Sequence, residues 1–356
     1  MPTVLPVFDG HNDTLTKIID LDPTGETFLT GNPACRLDLP RAKAGGFQGG
    51  IFAIFTDPPE GSAERDMGWG ALTTPEGFTT KIRSEVPQDH CARFTDHCIA
   101  YLRGIEQRSQ GEVRVVTGAS DLEATWASGR LGIVLHIEGA EAIREDLYNL
   151  SDLYDQGLRS IGLTWSRPNR FGFGVPFGFP QTPDVGPGLS EAGKELVRAC
   201  NAMGIVVDLA HLNSKGFSDV ERVTQKPLVV SHSNVHALCR CTRNLMDWQL
   251  DAVKASGGVV GLNFEPAFLR PDGKKDAGAT LAMLCDHLDY IVRRIGPDHV
   301  GLGSDFDGAD VPTGLEDAAC LPNLWTELSA RGYDLATMEK FAHGNWLRVL
   351  KATLPE

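Results

Sequence analysis

The chain has 356 residues, enough to bury a sizeable core in one large domain or two ordinary ones. Hydrophobic residues make up 42 % and charged residues 22 %, the balance of a soluble globular protein. A formal charge of −14 argues against nucleic acid and anionic membrane surfaces as partners, because like charges repel.

The opening Met-Pro-Thr-Val-Leu-Pro-Val has neither a basic segment nor a long apolar one, so no secretory leader is expected. No apolar run approaches the roughly 18 residues a spanning helix needs. The eight cysteines are scattered apart from Cys239 and Cys241, and read as reduced, mostly buried thiols of a cytoplasmic protein.

Strand-like runs alternate with helical patterns along the chain. The runs are 4–8, 50–55, 131–137, 159–164, 205–209, 227–231, 259–264 and 299–303. Most are near-continuously apolar, as strands covered on both faces must be. Helical patterns intervene, among them 89–105, 120–128, 190–203, 214–223, 245–255 and 279–295. This alternation predicts a parallel sheet closed into a (β/α)8 TIM barrel, with residues 1–356 as a single domain. Ser190 reads as a helix start, and Ser120 with Glu123 as a capping box. Gly129, Gly204 and Gly296 end helices where a positive φ is useful. Segments 56–87 and 167–188 are rich in Gly and Pro and follow strand ends, so they are expected to be lids or binding loops on the catalytic face.

The chemistry-bearing residues sit where these runs stop. His11 and Asp13, two apart in Asp9-Gly10-His11-Asn12-Asp13, point the same way and can chelate one divalent cation. Asp9 shares their phase one layer deeper, where it would support a ligand. Glu138 ends the third run, and its two oxygens can bridge two metals, which an imidazole cannot do. His136, in phase below it, reads as a packed core histidine. His211 and His232 end the fifth and sixth runs and would form a second metal's ligand pair.

Asp305, on the last strand, can take a proton from water and pass it to a leaving amine. Asp307 is in phase with it, and periodicity leaves the choice open. Arg243 is placed to grip a substrate carboxylate bidentately. His90-Cys91 and His97-Cys98 share one helix face and read as structural, and Cys239 and Cys241 as buried thiols. His236, His287, His299 and His343 have no evident partner.

Together, Asp9-Gly10-His11-Asn12-Asp13, Ile137-Glu138-Gly139, Asp208-Leu209-Ala210-His211, Ser231-His232-Ser233, Arg243-Asn244 and Gly303-Ser304-Asp305-Phe306-Asp307-Gly308 resemble the renal (membrane) dipeptidase family of the amidohydrolase superfamily. The resemblance runs from the first strand to the last. It implies two zinc ions, one held by His11 and Asp13, the other by His211 and His232, with Glu138 bridging. It also implies Asp305 as the acid/base, Arg243 as the holder of the terminal carboxylate, and hydrolysis of dipeptides, often with a D-residue on the C-terminal side. Many members carry a histidine after the fourth strand that contacts the scissile group. Here Trp165 takes that substrate-facing place, with one indole N–H to donate.

The rival readings are hydrolysis of another amide, a lactone or an N-acyl amino acid on the same centre, and a catalytically inactive metal-dependent binding protein. Mn²⁺ and Co²⁺ accept the same donors as zinc. The expected partner is a small dipeptide, with a homodimer left open.

Overall fold

The structure, a computed structural model, describes residues 3–66, 71–74, 77–275 and 278–356. Eight parallel strands form the centre: β1 Val7–Asn12, β2 Phe47–Phe55, β3 Leu131–Glu138, β4 Leu158–Gly162, β5 Val206–Asp208, β6 Val229–Ser233, β7 Val259–Leu262 and β8 Val300–Leu302. Each pairs with the next, and β8 returns to β1 through Leu302 and Asp9, so the sheet closes. Helices connect the strands, giving the (β/α)8 barrel that the alternating pattern predicts. A further strand, Val113–Val115, pairs with the start of β3, where too few residues repeat to signal it.

Alternation along the strands divides the core into two layers. Ile133, Leu135 and Ile137 of β3 face outward and share one apolar layer with helix residues such as Leu196, Phe217 and Leu288. Phe8, Ile51, Val134, Val206, Val229 and Val259 fill the barrel's interior at its lower end. The C-terminal helix Asn345–Thr353 closes that end, inserting Trp346, which is fully buried and donates its indole N–H to the Leu302 carbonyl at 2.8 Å. Gly10 and Gly301 make room for it: a Cβ on Gly10 would overlap the indole, and one on Gly301 would lie 2.5 Å from Nε1.

Helix Glu191–Met203 starts as expected, with Ser190 Oγ accepting from the Gly193 amide at 3.0 Å, and ends at Gly204, φ +72°. Helix Ala119–Ala127 differs, because Ser120 does not cap it. The Ala119 amide bonds to the Pro355 carbonyl at 2.7 Å, so a contact with the distant chain end fixes the start one residue earlier.

The two long loops meet each other. Ala71–Thr74, Gly77–Thr80 and Gly178–Phe179 form a small antiparallel sheet beyond the C-terminal ends of β2 and β4. Arg170 Nε adds a bond to Glu85 Oε1 at 2.7 Å. Among the described residues, no helix is long and apolar enough to cross a membrane. The eight cysteines are free, and all but Cys320 are buried.

Candidate metal centre

Three imidazoles, from β1, β6 and the turn after β5, converge on one carboxylate. Glu138, the last residue of β3, presents Oε1 to His211 Nε2 at 2.9 Å, His232 Nε2 at 3.5 Å and His11 Nε2 at 3.8 Å. Asp13 Oδ2 lies 3.4 Å from His11 Nε2, and the two Nε2 atoms of His211 and His232 are 3.0 Å apart. Donors held about 2.0–2.2 Å from a tetrahedral metal are themselves separated by about 3.3 Å, which is the spacing found here. Two donor groups, His11/Asp13/Glu138 and Glu138/His211/His232, share Glu138, and a third joins His11, Asp208 and His232.

The fit to a cation can be tested on charge and hydrogen bonding. Both ring nitrogens of His11 and one oxygen of Asp13 are buried without a hydrogen-bond partner, an arrangement a folded protein rarely tolerates unless something else binds them. Burial raises Glu138 well above the usual carboxylate range. Burial drives His211 and His232 well below the usual histidine value, with Arg243 and His11 adding to the effect. For His11, burial also favours the neutral ring, but the surrounding Glu138, Asp13 and Asp305 outweigh it and push His11 up to about 10. Dehydrated carboxylates that draw a histidine into compensating their charge are a donor set suited to a divalent cation.

Behind the ligands stand polar partners that orient them. His211 Nδ1 lies 2.7 Å from Ser166 Oγ, and His232 Nδ1 lies 2.7 Å from Ser231 Oγ. Ser231 Oγ donates to Asp208 Oδ2 at 2.5 Å. His136, as expected, is a buried core histidine: its Nδ1 meets Ser160 Oγ at 2.8 Å.

Asp305 and Asp307 separate cleanly. Asp307 accepts from Thr14 Oγ1 and the Arg36 amide, both at 2.7 Å, and so ties β8's exit to the segment after β1. Asp305 faces the centre, with Asn263 Nδ2 donating to its Oδ2 at 2.8 Å, and burial pushes it up to about 7. Gly308 allows this closeness: a Cβ there would overlap Asp13 Oδ2 and stand 2.6 Å from Asp305 Oδ1. Asp9 does not support His11. It accepts from the Ser304 amide and hydroxyl at 2.7 and 2.8 Å, holding β8 to β1.

Arg243 is buried beside the ligands, with Nη2 donating to the His232 carbonyl at 3.1 Å and Nε without a partner. Trp165 is also buried, its ring 5.8 Å from that of His211 and flanked by Phe55 at 4.8 Å and Phe177 at 5.6 Å. Four other histidines are structural. His236, His287, His299 and His343 each meet a backbone carbonyl at 2.9–3.0 Å and tie distant segments together.

A family model described as membrane dipeptidase, peptidase family M19, matches residues 2–354. The chain belongs to this family of dipeptidases. Among solved structures, it is 42 % identical to a metallopeptidase from Rhodobacter sphaeroides liganded with a phosphinate mimic of the dipeptide L-Ala-D-Ala. The TM-score is 0.93, and the match covers 99 % of this chain and 100 % of that one. Among curated relatives, an uncharacterized protein in the pqqA 5′ region of Klebsiella pneumoniae is 46 % identical over 253 residues, 71 % of this chain and 93 % of that protein. A dipeptidase of Claviceps purpurea is 28 % identical over 347 residues, 96 % of this chain and 76 % of it.

M19 membership makes the chain a metallo-dipeptidase, a hydrolase of peptide bonds. Every site residue named from the sequence lies in or against one cluster at the C-terminal rim of the barrel. Sequence reasoning missed Ser166, Ser231, Asp208, Asn263 and Gly308 as parts of this M19 centre. Ser231, Asp208 and Gly308 stand within the quoted motifs and Ser166 follows Trp165, which was the available signal; Asn263 carries none.

Proposed function

We propose that this M19 dipeptidase is a two-metal zinc enzyme that cleaves dipeptides, including those with a C-terminal D-residue. The observation that carries this reading is Glu138 Oε1 lying 2.9–3.8 Å from the Nε2 atoms of His11, His211 and His232, with Asp13 alongside. His11 and Asp13 would hold one ion, His211 and His232 the other, and Glu138 both. When bound, such a metal pair polarises the scissile carbonyl and makes water nucleophilic near neutral pH.

The chain's own groups supply the rest. Asp305, steadied by Asn263, takes the proton of the attacking water and delivers it to the departing amine. Arg243 receives the substrate's C-terminal carboxylate, for which its buried Nε has a donor to spare. Its guanidinium is held by the His232 carbonyl, so the carboxylate anchor is fixed relative to a metal ligand. Trp165 lines the scissile region beside His211, and with Phe55 and Phe177 it excludes water there. The phosphinate dipeptide mimic on the Rhodobacter sphaeroides relative supports L-Xaa-D-Xaa dipeptides as substrates.

A second reading has its own support. Trp165, Phe177 and Phe268 form a continuous aromatic wall, with ring separations of 5.6 and 6.1 Å, from His211 to Arg243. Such a wall suits N-acyl amino acids. The test is a panel of L–L dipeptides, L–D dipeptides, lactones and N-acyl amino acids, with metal analysis of the same sample. Hydrolysis of dipeptides with two zinc ions per chain is expected; activity confined to N-acyl amino acids would replace this reading with the second. D305N should keep its metal and lose turnover by about 10²–10⁴-fold; unchanged turnover would remove Asp305 from its role.

A further inference from the structure

Asp208 and Ser231 belong to the segments that carry His211 and His232, yet neither has a part in the chemistry above. Asp208 ends β5 and is 3 % exposed. Its Oδ1 accepts from the backbone amides of Ser231 and Ala210 at 2.7 and 3.1 Å. Its Oδ2 accepts from Ser231 Oγ at 2.5 Å, and Ser231 Oγ lies 2.7 Å from His232 Nδ1. His136 Nε2, 3.9 Å from Oδ2, is too distant to compete for that oxygen.

A carboxylate has no proton to give, and a serine hydroxyl has one. With that proton directed at Asp208, Ser231 Oγ must accept from His232. The imidazole then carries its hydrogen on Nδ1 and presents a bare Nε2 to Glu138 and His211. We propose that Asp208 and Ser231 are positioning residues that order the protons around His232, locking it in the one neutral tautomer whose Nε2 can bind metal. This inference rests on the reading of His232 as a ligand. It differs from a direct carboxylate–histidine pair in that the hydroxyl is interposed and sets the direction of the chain.

Direction makes the proposal testable. In D208N the two backbone amides still require an acceptor at the Oδ1 position, so the new amide oxygen must sit there and its NH₂ must face Ser231 Oγ. The hydroxyl would accept from that NH₂ and turn its own proton to His232 Nδ1, placing the ring hydrogen on Nε2, where the metal binds. In S231A the hydroxyl is gone, and nothing enforces either tautomer.

Zinc affinity, measured by chelator competition on the full chain, is therefore expected to fall about 10- to 100-fold in D208N and less in S231A. The double variant D208N/S231A should bind zinc more tightly than D208N alone. A purely architectural Asp208 would make the double variant as weak as D208N or weaker, and that result would overturn the proposal. H232Q separates the proton relay from the ligand assignment. If H232Q loses zinc while D208N binds like the parent, the relay is wrong and the ligand assignment stands. If H232Q binds like the parent, both fall. Should D208N fail to fold, ¹⁵N NMR of the unmutated, chelator-treated chain, with H232Q identifying the signals, reads the tautomer directly. A hydrogen on His232 Nδ1 is expected, and a predominant Nε2–H form would overturn the proposal.

Discussion

At Gly308 the smallest possible side chain should have a large effect on chemistry and a small one on folding. A methyl group there would overlap Asp13 Oδ2 and stand 2.6 Å from Asp305 Oδ1, whereas ordinary contacts begin at 3.4 Å. The Asp305 carboxylate would have to withdraw by about 0.8 Å, and Asp13 further. Gly308 is not in the left-handed region, so alanine meets no backbone strain there. The groups in the way are the ends of two side chains and not main chain, so the barrel can keep its form while the centre spreads.

Catalytic groups displaced by about 1 Å typically lose on the order of a hundredfold in rate. G308A should therefore lower kcat/KM on a dipeptide by about a hundredfold and weaken metal binding through Asp13. Its melting temperature after chelation should stay within roughly 4 °C of the parent, since no apolar burial is lost. Steady-state kinetics, chelator competition and thermal melts report these quantities separately. A variant with full metal and kcat/KM within about threefold of the parent would show that Asp13 and Asp305 do not need their close approach.

Three further outcomes follow from packing and charge. W346A removes the indole that closes the barrel's lower end and should cost about 3–5 kcal/mol in urea melts, a loss that an unchanged midpoint would contradict. E141Q strips the counter-charge from Arg167, whose Nε meets Glu141 Oε1 at 2.6 Å with both side chains buried, and should cost about 3–5 kcal/mol; adding R167M should recover part of that loss. Burial alone would raise Asp22, but bonds from the amides and hydroxyls of Thr24 and Thr27 outweigh it and hold Asp22 below its ordinary 3.8. Its stabilisation is complete above that value and is lost as pH falls below it, so the stability gap between parent and D22A should close on acidification and stay constant from pH 5 to 7.

The barrel and the candidate cluster at its rim were legible for one reason: buried parallel strands must be apolar throughout, so a histidine or carboxylate at the end of such a run stands out. Glu138, after seven residues of β3, is the clearest case. Alternation put Asp9 one layer beneath His11, but its carboxylate accepts from the Ser304 amide and hydroxyl and so serves β8 instead. Asp305 and Asp307 could not be ranked because what distinguishes them is distant, Asn263 for one and Thr14 with Arg36 for the other. The closing of the barrel by Trp346 was likewise hidden, because its cause is the absence of side chains at Gly10 and Gly301. The small sheet between the long loops rests on backbone pairing across about a hundred residues, which no local pattern announces.

A local backbone feature sets where two of the proposed site residues lie. His211 and Asp305 adopt φ of 60° and 59°, values that cost an ordinary residue about 1–2 kcal/mol and that glycine would adopt freely. Each lies just past a strand end, where extended backbone would continue the path of the strand. The left-handed turn instead swings the chain over the barrel mouth. The turned backbone is held at both positions: the Val175 amide donates to the His211 carbonyl at 2.8 Å, and the Asp305 amide donates to the His11 carbonyl at 2.9 Å. The second bond ties the Asp305 backbone to the strand that carries His11, so the two positions are coupled. The cost of each left-handed residue is offset by a hydrogen bond to its own backbone, from the Val175 amide at His211 and to the His11 carbonyl of β1 at Asp305.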